Sequence, residues 1–173
     1  MSHVLIVGRN GVGKSTLINR LLASAKVPVY GIITKKESAL PDGNCPVYIH
    51  PYGGERRFSD KNRIGLCRDG HSEAFPEAFE RFAEQMAFPY DGVIVFDELG
   101  FLESGAPRFC AAVIKTLDAA PFVIAAVRDR RTPFLDAVRA HPRANAYQID
   151  ETNRDELAER LLRELSVLAP GRF

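Results

Sequence analysis

Gly8-Arg9-Asn10-Gly11-Val12-Gly13-Lys14-Ser15 has the spacing G-x-x-x-x-G-K-S, and Thr16 follows it. Glycines at these positions let successive backbone N–H groups curl toward one anion, and a helix starting near Lys14 turns its positive end to the same point. A loop of this kind holds a polyphosphate. Lys14 can reach the β and γ phosphates, and the Ser15 hydroxyl, in the first helical turn, is placed to coordinate a Mg²⁺ that bridges them. Gly8, Arg9, Asn10, Gly11, Val12, Gly13, Lys14, Ser15 and Thr16 are therefore the candidate nucleotide-binding set. A glycine-rich turn without a ligand is the alternative, and the strand before it and helix after it weigh against that reading.

A metal held between phosphates also needs a carboxylate from the opposite side. Gly92-Val93-Ile94-Val95-Phe96-Asp97-Glu98 supplies two at the end of an apolar run. Asp97 is the candidate metal ligand with Ser15, and Glu98, pointing differently, is the candidate general base for an attacking water. In isolation Asp97 also reads as a loop acid or helix cap. Asp97-Glu98-Leu99-Gly100 fits the D-x-x-G pattern of GTPases as well. A guanine-reading N-K-x-D is expected after a later strand in that class, and Arg128-Asp129-Arg130-Arg131 stands there instead. Arg128 is either an arginine finger supplied in cis to the γ-phosphate or a surface arginine in a basic run. The first reading requires its strand to lie between the phosphate-loop strand and the acidic strand.

Short apolar strands alternate with amphipathic helices, the pattern of a doubly wound α/β fold with a mostly parallel sheet and helices on both faces. Strands are expected at Val4–Val7, Val29–Thr34, Gly92–Phe96, Phe122–Val127 and Ala146–Ile149, their continuous apolar runs suiting buried parallel positions. Leu17, Ile18, Leu21 and Leu22 recur at helical spacing after the phosphate loop. Phe75, Phe79, Phe82 and Met86 mark a helix started by Pro76, and Phe109, Val113 and Leu117 mark another. Thr132-Pro133 opens a shorter one, and Asn153 is expected to cap the last, whose stripe is Leu157, Leu161, Leu165 and Leu168.

The stretch from about 36 to 72 breaks this rhythm, with three prolines, five glycines and six Lys or Arg residues. It reads as an inserted loop or small β element with a strand at Pro46–His50, either a functional lid or docking surface or a surface excursion. Cys45, His50, Cys67 and His71 are all potential zinc ligands, but neither pair has the tight spacing of a structural site. Arg56, Arg57, Lys61, Arg63 and Arg68 lie among Tyr48, Tyr52 and Phe58, which suggests either a nucleic-acid or acidic-partner contact or a solvated loop.

The 173 residues suffice for one domain over 1–173 and are too few for two of ordinary size. A net charge of +1 provides no broad attraction for nucleic acid, which is not an expected partner. The apolar run Val4–Val7 is too short for a secretory signal, and no stretch has the length to cross a bilayer, so no membrane role is expected. Three cysteines at unrelated spacings suit free thiols and a cytoplasmic location.

Gly31-Ile32-Ile33-Thr34 with Glu37, Asp97 through Glu103 with Phe109, and Thr152-Asn153-Arg154-Asp155, taken with the phosphate loop, resemble the small P-loop nucleoside-triphosphatases of the thermophile-type or cancer-related family. The resemblance spans nearly the whole chain. Its phosphate loop is common to many proteins, whereas the D-E-aliphatic-G-x-x-E element and the terminal Asn-Arg pair are more specific. It implies Mg²⁺-dependent hydrolysis of ATP, GTP and other nucleoside triphosphates with little choice of base, and it places Lys14, Ser15, Asp97 and Glu98 on matching positions. The chain departs from the family at 36–72 and at Phe101, where members often carry a polar or basic residue. Two other readings remain open, a nucleotide-gated adaptor that docks a protein partner through 36–72 and a nucleotide or small-molecule kinase with an acceptor pocket there. Glu98, placed to activate water, favours hydrolysis.

Overall fold

The structure, a computed structural model, describes residues 2–173. In chain order the elements are β1 (His3–Gly8), α1 (Lys14–Leu22), β2 (Val29–Lys36), β3 (Cys45–Pro51), β4 (Arg63–Arg68), β5 (His71–Ala74), α2 (Pro76–Ala83), β6 (Val93–Leu99), a 3-10 turn (Leu102–Gly105), α3 (Pro107–Ala119), β7 (Val123–Arg128), α4 (Pro133–Arg139), β8 (Ala144–Gln148) and α5 (Arg154–Leu168). They form one eight-stranded sheet in the order β5-β4-β3-β2-β6-β7-β1-β8. β2, β6, β7, β1 and β8 run parallel, and β3, β4 and β5 extend the β2 edge as an antiparallel meander.

The central parallel strands β1, β6 and β7 are buried on both faces because successive side chains enter different cores. β2 is mostly half-buried, and β8, at the sheet edge, is largely exposed rather than buried as its sequence suggested. Leu5 and Val7 of β1 join Phe79, Phe109, Val113, Leu117 and Leu135 from α2, α3 and α4. Val4 and Ile6 join Leu17, Ile18, Leu21, Leu161 and Leu165 from α1 and α5 on the other face. This period-two division is what the apolar runs prescribe. His3 is the polar exception in β1: its Nε2 bonds the Leu117 carbonyl at 2.7 Å and its Nδ1 accepts the Val123 N–H at 3.1 Å. Burial lowers its pKa to about 4, so the ring is neutral and serves as a cross-brace.

Two strand positions depend on glycine. A Cβ on Gly31 would lie 1.9 Å from the Val95 carbonyl oxygen, at φ +134°, where β2 meets β6. A Cβ on Gly8 would lie 2.6 Å from the Ile149 oxygen at the exit of β1. Both press the backbones together where the site begins.

The inserted segment is a β element rather than a loop. β3 covers the expected strand, while β4 and β5 were not expected, since His71-Ser72-Glu73 is polar and exposed and is held by backbone pairing to β4. α2 ends at Ala83, and Met86 is buried beyond its end. Asn153 precedes α5 but caps nothing through its side chain. Its Oδ1 instead accepts the Asp150 N–H and its Nδ2 donates to the Gln148 carbonyl, so it secures the turn out of β8. Thr132 does cap α4, accepting the Leu135 N–H at 3.1 Å.

Candidate active site

The strand order decides what can meet. β7 lies between β6 and β1, so the end of β7 falls between the phosphate loop and the acidic strand, with Arg128 in register with Gly8. Gly11 at φ +81° and Gly13 at φ +102° give the loop its left-handed turns, and α1 starts at Lys14.

Asn10, Gly11, Gly13, Lys14, Ser15, Thr16, Asp97 and Glu98 line one cleft of about 270 Å³. Adjacent residues on a regular strand point to opposite faces, yet Asp97 and Glu98 share it. An irregularity in the β6–β7 pairing allows this: Phe96 pairs with Ala125 and Leu99 with Val127, so three steps on β6 match two on β7. The extra residue bulges the strand where the carboxylates lie.

Lys14 is buried, and its Nζ donates to the Gly8 carbonyl at 2.9 Å and the Arg9 carbonyl at 2.6 Å. Burial lowers the pKa of this ammonium below its ordinary value, a direction Glu98 opposes and Arg128 reinforces. Asp97 is buried, and its Oδ1 has no hydrogen-bond partner. Burial raises its pKa, while the Ser15 hydroxyl and Lys35, whose Nζ is 3.8 Å from Oδ2, lower it. A buried, unpartnered carboxylate oxygen beside a serine hydroxyl is a donor set that suits a hard divalent cation such as Mg²⁺.

Glu98 is ion-paired with Arg128 through Oε1 and Nε, both side chains being part-buried. Arg128 faces a neighbouring cavity and does not line the cleft itself. Its guanidinium carbon lies 5.5 Å from the Phe101 ring centroid, and that of Arg130 lies 4.4 Å from it. Phe101, the departure noted in the sequence, is thus an apolar plate against two arginines. Glu103 is buried behind Glu98, its Oε1 accepting the Gly100 N–H at 2.9 Å and its Oε2 without a partner. Burial pushes its pKa up to about 7.

Three of the expected nucleotide-binding residues lie outside the cleft. Gly8, Arg9 and Val12 line a separate hollow of about 370 Å³ with Asp129 and residues 148–152. Gly8 and Arg9 act on the cleft through the carbonyls that hold Lys14. Val12 belongs to the core. The four potential zinc ligands do not converge: Cys45 and Cys67 are opposite one another on β3 and β4, while His50 is buried against Phe58. Among the described residues no group of three His, Cys, Asp or Glu could hold a metal ion. Much of the basic charge is locally paired, Arg57 with Glu55, Arg63 with Asp60 and Arg68 with Asp69. Lys35 and Phe101 were missed as site residues; the signal for Lys35 was its place at the end of a strand parallel to that of Asp97.

Comparison with known proteins agrees with this geometry. A model of the NTPase family matches residues 3–162. The chain belongs to this family. Similar family proteins include the nucleoside-triphosphatase THEP1 of Thermofilum pendens, 30% identical over 96% of each chain, and that of Thermotoga petrophila, 26% identical over 92% of this chain and 90% of the relative. The crystal structure of THEP1 from Aquifex aeolicus superposes with a TM-score of 0.65 at 21% identity, covering 94% of this chain and 98% of the other, and so shares the P-loop NTPase fold. Among the described residues of this family member, no helix is long and apolar enough to cross a membrane.

Proposed function

We propose that the chain hydrolyses nucleoside triphosphates to the diphosphate and phosphate, with the chemistry in the cleft between Lys14 and Glu98. The convergence of Lys14, Ser15, Asp97 and Glu98 on that cleft carries the reading, and the names of the relatives agree with it. Lys14 neutralises charge on the β and γ phosphates, and the loop N–H groups hold them. Ser15 and Asp97 would hold Mg²⁺, which supplies neutralisation of the phosphate oxygens when bound. Glu98 takes the proton of a water whose oxygen forms a bond to the γ-phosphorus as the bond to the bridging oxygen breaks. Arg128 orients the Glu98 carboxylate through their ion pair and, from the end of β7, would have to turn its guanidinium out of the neighbouring cavity to meet charge developing on the transferring group.

ATP and GTP are both proposed substrates. The base side is formed by the turn after β8, where Asp150 accepts N–H groups from Thr152 and Asn153, and by Arg154, whose Cδ would lie 3.7 Å from a Cβ on Gly13. No guanine-reading motif is present, and rates for the two substrates should agree within about an order of magnitude, about 1.4 kcal/mol in the transition state. Cys45, Cys67 and Cys110 are free thiols, which supports a cytoplasmic location.

The test is phosphate release from ATP, GTP, CTP and UTP by the purified chain, with Mg²⁺ and with a chelator. Release from all four that stops in chelator is expected. Release that persists in chelator would remove Ser15 and Asp97 from the metal role, and a thousandfold preference for one base would overturn the broad substrate range.

A further inference from the structure

A second cavity, of about 470 Å³, adjoins the phosphate cleft through Asn10 and Glu98, which line both. The inserted meander and the turn after β6 enclose it, and none of Gly11, Gly13, Lys14, Ser15 or Thr16 reaches it. Hydrolysis does not account for this space, because a water occupies only about 30 Å³ of liquid volume. Sites that enclose small organic ligands are of this order, about 300–1,000 Å³.

Its walls divide chemically. Val47 and Ile64 from the meander and Phe79 from α2 supply buried apolar surface. Lys36, Arg128 and Arg130 supply cationic heads. Arg128 is paired with Glu98, but no carboxylate among the described residues lies within 4.0 Å of the Lys36 or Arg130 head groups. Arg130 is instead held at 4.4 Å from the Phe101 ring centroid, an arrangement that fixes the guanidinium while leaving its charge unmatched. Asp69, Glu98 and Glu103 line the cavity as well, Asp69 paired with Arg68 and Glu98 with Arg128, which leaves Lys36 and Arg130 as the cations without a carboxylate. With the apolar surface they complement a molecule with an anionic head and an apolar body.

We propose that this cavity is a second ligand site, distinct from the nucleoside-triphosphate cleft, for a small organic acid whose carboxylate or phosphate head meets Lys36 and Arg130 and whose apolar body lies against Val47, Ile64 and Phe79. The site stands on the cavity itself, so its occupancy is measurable apart from turnover. Only its position next to Glu98 rests on the function proposed above.

The direct experiment is calorimetric titration of the full chain, with ADP saturating the phosphate cleft, using phenyl phosphate, phenylacetate, inorganic phosphate and benzyl alcohol as probes. Phenyl phosphate or phenylacetate should bind at least about tenfold more tightly than inorganic phosphate or benzyl alcohol, since the former pair makes both the charge-assisted contact and the buried-ring contact and each of the latter makes only one. The stronger of the two acids tells a phosphate-bearing ligand from a carboxylate-bearing one. The double variant Lys36→Ala/Arg130→Ala, altered only at exposed side chains, should lose that binding while still binding ADP. Repeating the titration on Lys14→Ala without ADP keeps this result independent of nucleotide binding, and the acid should still bind. Failure of both acids to bind at millimolar concentration, or binding that the double variant retains, would overturn the second site.

Discussion

The five parallel strands and the antiparallel meander are parts of one sheet, yet different physics holds them. In the parallel half, β1, β6 and β7 are almost wholly apolar and buried on both faces, and the phosphate loop and acidic pair project from strand ends that cannot shift without opening both cores. In the meander, β5 has exposed His71, Ser72 and Glu73, and pairing to β4 rather than side-chain burial keeps it in place. The stiff half fixes chemistry, whereas the meander builds the wall of the second cavity. The proposed reacting groups therefore sit where displacement is most costly, and the proposed second ligand meets the part of the sheet where displacement is cheaper.

The sharpest way to break this comparison is at the end of β7. Arg128→Ala should lower kcat by roughly 10³-fold with little change in nucleotide affinity, because a charge acting on the transferring group is felt mainly in the transition state. Arg131, which is 89% exposed and pairs with Asp136, is the control, and Arg131→Ala should stay within about twofold. Steady-state kinetics on both variants would show it. Equal effects would place Arg128 among the surface charges.

Stability should separate the halves next. Gly31→Ala forces a Cβ to 1.9 Å from the Val95 oxygen of the adjacent strand, at φ +134°, and should cost about 3 kcal/mol or more by urea unfolding. Gly70→Ala, at φ +81° in the β4–β5 turn with open space around it, should cost only about 1 kcal/mol. Similar losses would contradict the division into a stiff and a tolerant half.

A smaller effect should appear with pH. Glu103 has its pKa raised by burial from 4.5 to about 7, so the folded state holds a proton that the unfolded state has released between those values. Its contribution is fully present below pH 4.5 and is lost as pH rises through about 7. His3, depressed from 6.5 to about 4, acts in the opposite sense, its contribution being lost as pH falls through that window. Glu103→Gln should therefore gain stability relative to the wild type as pH rises from 5 to 8, by an amount of order 1–3 kcal/mol, as followed by chemical unfolding at each pH. A constant difference across that range would mean that Glu103 is not held in its protonated form.

Much of the parallel half was legible in the sequence. The glycines, Lys14 and the apolar run before Asp97 are fixed by local chemistry, and continuous Val, Ile and Phe runs read as buried parallel strands. β4 and β5 were not legible because Arg63–Arg68 carries charge at both ends and His71–Ala74 has no apolar face; their partners are backbone groups, which leave no mark on composition. Asn153 has the residue type of a cap, but the Asp150 N–H takes the Oδ1 with which it would cap. The carboxylates could be named, but the bulge that turns both into one cleft depends on register with β7. Phe101 departs from the family pattern, and its contact with Arg128 and Arg130 depends on the end of β7 lying beside the turn after β6, which no local signal marks.

The measurement that tests the central assignment most directly is a paired assay of Glu98→Gln and Lys14→Ala, with ATP binding followed by equilibrium dialysis and hydrolysis by single turnover of bound nucleotide. The expected result is that Glu98→Gln binds ATP as the wild type does and fails to hydrolyse it, while Lys14→Ala loses affinity by roughly ten- to a hundredfold, as removal of a buried charged contact to phosphate requires. Hydrolysis by Glu98→Gln at the wild-type rate would contradict the assignment of the base and direct attention to Glu103, the buried carboxyl behind it.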